Sequence, residues 1–153
     1  MTQPPQILTG IAPLAQSYAG IFLDLWGTVH NGFEPLPGAL DAMRELKASG
    51  ARIPIISNAP RRSHSVVEKM DEVGIPRDLY DAVLSSGEAV HRALSRRDDA
   101  WHARLGGNVF LLAPAGDDSA IEDLPLERVD ALGDADFVVA VGAYERGDRV
   151  EDY

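Results

Sequence analysis

Asp24 closes an apolar run, Ile21-Phe22-Leu23, and Gly27 and Thr28 follow it closely. A carboxylate beside such a run is costly to place unless a cation, a hydrogen-bond network or a reaction needs it there. Asp24 is therefore the first residue with a claim to chemistry. Ser57 and Asn58 close a second apolar run and precede Pro60, near which a helix is expected to begin. A serine hydroxyl, open backbone N–H groups and a helix N-terminus together make a cradle suited to phosphate. Plainer roles stand beside these: Asp24 as the cap of a turn, and Ser57 and Asn58 as caps of the following helix.

Both groups need a scaffold that gathers strand ends. Short apolar runs alternate with amphipathic segments, the pattern of a parallel sheet with crossover helices. Strands are expected at about 20–24, 52–56, 82–84, 108–113 and 136–141. Leu36, Leu40, Met43 and Leu46 recur at helical spacing, with Pro37 suited to a first helical position and Ser49-Gly50 as the stop. Val66, Val67, Met70 and Val73 mark a second helix that Gly74 and Pro76 end, and a third is expected over about 88–97. Pro54 is awkward inside a strand, because proline removes a ladder donor. Strand C-termini line the ligand crevice of a parallel sheet, which would set Ser57 beside Asp24. The charged segment 95–107, ending in Gly106-Gly107, is the expected domain junction.

Asp24-Leu25-Trp26-Gly27-Thr28 resembles the first motif of the haloacid-dehalogenase-like hydrolases. The longer stretch through Val29-His30-Asn31-Gly32 is similar to a branch of subfamily IIA, which includes sugar-phosphate, nucleotide and pyridoxal-phosphate phosphatases. Leu36-Pro37-Gly38-Ala39, Ile56-Ser57-Asn58-Ala59-Pro60-Arg61-Arg62 and Ser85-Ser86-Gly87-Glu88 extend the likeness over residues 20–95. The resemblance implies an α/β fold: an incomplete Rossmann-like parallel core over 1–104, then the start of an α/β cap domain over 105–153. It implies a small phosphorylated metabolite as substrate and an aspartyl-phosphate intermediate. Asp24 would be nucleophile and, with the backbone carbonyl of Trp26, a ligand of Mg2+. Ser57, Asn58, Gly27 and Thr28 would surround the phosphate. The lysine and acidic pair that complete such a site are expected beyond Tyr153.

Trp26 departs from that pattern, since most phosphatases of the superfamily carry a second Asp there to protonate the leaving group and activate water. Indole only donates a hydrogen bond, and loss of a positioned acid/base typically lowers rates roughly 10²- to 10⁴-fold. Trp26 is expected to serve packing instead. His30 could supply the missing proton transfer, its ordinary pKa lying near neutrality, but a solvated loop histidine is the simpler reading. Gly116-Asp117-Asp118 superficially resembles the acidic motif of a small, complete, capless phosphatase; a solvated acidic loop is expected instead. Arg61 and Arg62 are read as solvated surface charges. A phospho-ligand-binding pseudoenzyme of the same fold is the main alternative function. A complete five-stranded flavodoxin-like binding domain is a distant one.

Composition narrows the partners. The chain has 153 residues, 45% of them hydrophobic and 25% charged, enough to bury a core. A formal net charge of -10 disfavours nucleic acid and anionic membranes as partners. Cysteine is absent, which excludes disulfides and thiolate metal sites, and the spacing of His64, His91 and His102 does not suit zinc. With no secretory leader and no apolar run near the roughly 20 residues that span a bilayer, the cytoplasm is the expected compartment.

Overall fold

The apolar stripes become helices and four of the five expected strand runs become strands, the run 20–24 making only isolated bridges, in the computed structural model, which describes residues 7, 10, 11, 15, 17–143, 147, 149 and 151. In chain order the elements are α1 (Ala39–Ala48), β1 (Pro54–Ser57), α2 (Ser63–Glu72), β2 (Ala82–Ser85), α3 (Ser86–Arg96), β3 (Asn108–Leu112), β4 (Glu127–Arg128) and β5 (Phe137–Ala140), with short 3-10 turns between them. β1 and β2 are hydrogen-bonded neighbours in one sheet, and a second sheet has the order β4-β3-β5. The contacts divide the chain into two units, 1–56 with 69–83, and 57–68 with 84–153.

In the first unit, the run before Asp24 lies parallel to residues 52–55, through isolated bridges: Gly20 faces Arg52 and Leu23 faces Ile55. The Leu23 N–H donates to the Pro54 carbonyl at 3.1 Å, and the Ile56 N–H to the Leu23 carbonyl at 2.9 Å. Pro54 opens β1, a position where proline is tolerated, and its carbonyl still serves the neighbouring strand. The carboxylate of Asp81 anchors this edge, accepting from Lys47 Nζ at 2.7 Å and from the Ile53 N–H at 2.6 Å. Those two bonds hold Asp81 below the usual carboxylate range. Met43, Leu46, Ile53, Ile55, Met70 and Ile75 are all buried, as the helical and strand periodicities require. Pro37 stands outside α1, because Gly38 occupies the position before its first residue. Phe22 and Ile56 remain exposed.

In the second unit, β3 pairs in parallel with β4, Val109 facing Arg128, and with β5, Leu111 facing Val139. Val109, Leu111 and Val139 form a core with Leu94, Ala113 and Ala120. β4 is two charged residues long, so it carries no apolar signature that a sequence reading could detect. The junction segment is held in place. Arg97, at φ 47° beyond the end of α3, donates from its guanidinium to the carbonyls of Leu94 at 3.3 Å, Leu105 at 2.5 Å and Gly106 at 2.9 Å. Apolar surface lies open at the last strand: Val138 is 47% exposed in a groove of about 360 Å³ also lined by Trp101, Leu105 and Phe137. Among the described residues no single five-stranded sheet forms, which argues against the flavodoxin-like alternative.

Candidate active site

The loop after Asp24 winds tightly around one carbonyl. Leu25 O accepts the N–H groups of Thr28 at 3.2 Å, Val29 at 2.8 Å and His30 at 3.2 Å, while the Gly27 N–H donates to His30 O at 2.9 Å. Asn31 Oδ1 then accepts from the N–H groups of Phe33 and Glu34. The backbone donors of Gly27 and Thr28, expected to face phosphate, are thus engaged inside the turn. The open donors are one step upstream. Among the described residues the N–H groups of Leu25 and Trp26 have no acceptor, and the Asp24 carboxylate and Trp26 carbonyl have no donor. Asp24, Trp26 and Thr28 are all exposed. An anionic oxygen followed by two successive open amides is an arrangement that motif spacing alone did not reveal, because turn closure decides which amides stay open.

Trp26 and His30 form a second feature of this loop. The rings meet edge to face, with centroids 5.9 Å apart and an interplanar angle of 78°. A Cβ on Gly32 would meet the Trp26 ring at 2.5 Å, and Gly32 has φ 94°, so glycine is required there on both counts. His30 is buried rather than solvated, and its Nδ1 accepts the Gly32 N–H at 2.9 Å. Burial pushes its pKa down, the positive charge of Lys69 adds to that, and Asp24 opposes both. A neutral imidazole with Nδ1 occupied is a loop-shaping group, poorly prepared to act as a general acid near neutral pH.

In the second unit, Ser57 ends β1 and is buried. Its Oγ accepts the Ala59 N–H at 3.2 Å, which leaves the hydroxyl hydrogen to donate elsewhere. The following helix starts at Ser63 rather than near Pro60, because the carbonyls of Asn58, Ala59 and Arg61 bond to the 85–87 segment. Ser86 Oγ lies 2.9 Å from Asn58 O and 2.8 Å from Ala59 O, the Gly87 N–H donates to Ala59 O at 3.2 Å, and Ser85 Oγ donates to Arg61 O at 2.6 Å. A side chain on Gly87 would collide with the Pro60 carbonyl. The helix N-terminus is also already served, since the Ser63 N–H points to Glu88 Oε2 at 3.4 Å.

The charges expected to be solvated are paired. Arg61 makes a bidentate contact with Asp117, Nε to Oδ1 at 2.8 Å and Nη2 to Oδ2 at 3.0 Å, and Asp117 is buried. Asp117 is therefore no solvated loop residue. The Arg62 N–H donates to Ser119 Oγ at 3.2 Å. Buried Glu88 accepts from Arg62 Nε at 3.1 Å and Arg92 Nε at 2.9 Å. Burial alone would raise the Glu88 carboxyl, but the bonds from Arg62, Arg92 and the Ser63 N–H outweigh it and hold the carboxyl down at about 2. A depressed carboxyl contributes stability that is complete above its unfolded pKa and is lost as pH falls through its folded one. Acid should therefore weaken the fold between about pH 4.5 and 2, the interval over which Glu88 is shifted. Glu88→Gln is expected to remove about 2 kcal/mol at neutral pH, below the range for fully buried pairs because Arg92 is half exposed, and to flatten that acid limb. Denaturant melts across pH would measure both; an unchanged acid limb would refute the assignment.

Magnesium takes oxygen ligands, usually one or two carboxylates completed by water and phosphate oxygens. The Asp24 carboxylate and the Trp26 carbonyl are oxygens of that class, both without a donor, so the donor chemistry of the loop fits. Among the described residues no cluster of three His, Asp or Glu is arranged to hold a metal.

A family model described as haloacid dehalogenase-like hydrolase matches residues 21–127. The chain belongs to that family. Its α/β elements and parallel pairings are those of a Rossmann-like haloacid dehalogenase-like hydrolase. Sugar-phosphatase AraL of Bacillus subtilis is 41% identical over 71 residues, covering 46% of this chain and 26% of that protein. A 4-nitrophenylphosphatase of Schizosaccharomyces pombe is 32% identical over 114 residues, covering 71% of this chain and 34% of its own length. The crystal structure of a haloacid dehalogenase-like hydrolase from Brucella suis superposes with a TM-score of 0.83 at 27% identity, covering 96% of this chain and 51% of that one. This haloacid dehalogenase-like chain thus spans about a quarter to a third of the curated relatives it matches. No described helix is long and apolar enough to cross a membrane.

Proposed function

We propose that the full-length protein is a phosphatase-type hydrolase acting on a small phosphorylated metabolite, with Asp24 as nucleophile. The observation that carries this reading is the open Asp24 carboxylate followed by the unpaired amides of Leu25 and Trp26, in a chain whose relatives include a sugar phosphatase and a nitrophenylphosphatase. An Asp24 oxygen attacks phosphorus, the ester oxygen leaves with the bond's electron pair, and water then releases phosphate from the aspartyl ester. The Leu25 and Trp26 N–H groups offset charge on the transferring phosphoryl oxygens, and the Ser57 hydroxyl and Asn58 amide orient them. Thr28 offers its exposed hydroxyl. Bound Mg2+, held by Asp24 and the Trp26 carbonyl, would lessen the repulsion between two anions. Residues 1–104 are assigned to the core and 105–153 to the start of the cap. The net charge of -10 suits a cytoplasmic enzyme of small metabolites better than a partner of nucleic acid or membranes.

The indole of Trp26 favours a second reading, a phospho-ligand-binding pseudoenzyme, because no carboxyl stands there to protonate a leaving alkoxide. Chelation separates the two. In the full-length protein, removal of divalent cations should lower 4-nitrophenyl phosphate turnover at least about tenfold, and added Mg2+ should restore it. Phosphate binding without any turnover would replace the enzyme by the binder.

A further inference from the structure

The peptide linking Asn58 to Ala59 is gripped from both sides. Its carbonyl lies 2.9 Å from Ser86 Oγ, whose one hydrogen it shares with Ala59 O at 2.8 Å, and its N–H donates to Ser57 Oγ at 3.2 Å. In a planar trans peptide these two groups point in opposite directions, so fixing the carbonyl fixes the N–H. The Ser57 oxygen, having accepted that N–H, keeps its hydrogen for another acceptor. Gly87 reinforces the grip, its N–H on Ala59 O at 3.2 Å and its bare Cα against the Pro60 carbonyl.

We infer that Ser86 is a positioning residue that aims the Ser57 hydroxyl at substrate phosphate through the 58–59 peptide. The inference rests on the proposed role of Ser57 as a phosphate ligand. Ser86 touches no reacting atom itself. It is exposed at the first turn of α3, while the neighbouring Ser85 Oγ accepts the Glu88 N–H at 3.1 Å and caps the helix. Removing the Ser86 hydroxyl therefore leaves the helix cap in place and frees the Asn58 and Ala59 carbonyls, of which Ala59 O keeps the Gly87 N–H.

Titration calorimetry of the full-length protein with inorganic phosphate and Mg2+ tests this. Ser57→Ala should weaken phosphate binding about tenfold, the usual size for a hydrogen bond to a charged group. Ser86→Ala should weaken it about fivefold and raise KM for 4-nitrophenyl phosphate by the same factor, with kcat little changed. Ser86→Thr should restore both. In a Ser57→Ala background Ser86→Ala should have no further effect, since groups acting through one another are not additive. Wild-type affinity in Ser86→Ala, or a full fivefold loss that persists without Ser57, overturns the positioning role alone. Unchanged affinity in Ser57→Ala, or no phosphate binding by the wild type, overturns it together with the proposed phosphate site.

Discussion

Asp24→Asn in the full-length protein is expected to lower turnover of 4-nitrophenyl phosphate by at least roughly 10³-fold, the scale seen when a covalent nucleophile is removed. The amide has the carboxylate's shape but no anionic oxygen, so the phosphoryl group has nothing to be transferred to. The fold should tolerate the change, because Asp24 is exposed and its carboxylate receives no hydrogen bond among the described residues. Phosphate affinity should be kept or improved, since one anion facing another is gone. Steady-state kinetics and a phosphate titration on the same preparation make the comparison. Turnover within threefold of wild type would place the chemistry elsewhere; lost turnover with lost phosphate binding would point to Asp24 acting through the cation it is proposed to hold, or through the fold, and adding excess Mg2+ would separate these two.

Trp26→Asp should act in the opposite direction, raising turnover of an alkyl phosphate by about 10²-fold, the lower end of what a positioned acid/base contributes. Aryl phosphates have good leaving groups and should gain less, so the alkyl/aryl rate ratio is the informative quantity. The indole is 65% exposed, so its loss sacrifices little burial. The peptide carbonyl proposed to meet the cation is unaffected by a side-chain change. An unchanged ratio would mean that leaving-group protonation does not limit the reaction. His30 is poorly prepared to supply that proton, given its burial and its bond from the Gly32 N–H. His30→Ala should therefore disturb the loop without shifting the alkyl/aryl ratio.

The local features of this protein were readable in order along the chain. Met43 and Leu46, and likewise Val66, Met70 and Val73, repeat at helical spacing and are buried in helices or at their ends. The runs near 20–24, 52–56, 82–84, 108–113 and 136–141 all enter parallel pairing or hydrogen-bonded sheets. Asp24-Leu25-Trp26-Gly27-Thr28 resembles the first motif of the family to which the chain belongs, because it joins the end of an apolar run, a turn and a carboxylate in five successive residues. Each of these signals is carried by residues close in sequence, and periodicity or motif spacing records them directly.

The tertiary structure decided what becomes of the polar groups. Asp117 is buried because Arg61, 56 positions away, reaches it with two bonds. α2 begins at Ser63 because the carbonyls ahead of it are claimed by Ser85, Ser86 and Gly87. His30 is enclosed by a loop that folds back over it, and the donors of Gly27 and Thr28 are used in closing that loop. A charged or hydrogen-bonding side chain has no intrinsic inside or outside, since its burial depends on whether a complementary group arrives to offset desolvation. For this chain that group comes from 20 or more residues away in the pairs that matter, as with Ser86 and Asn58, 28 apart. The composition of the site was therefore local information, while its open donors and the support behind Ser57 are products of the fold.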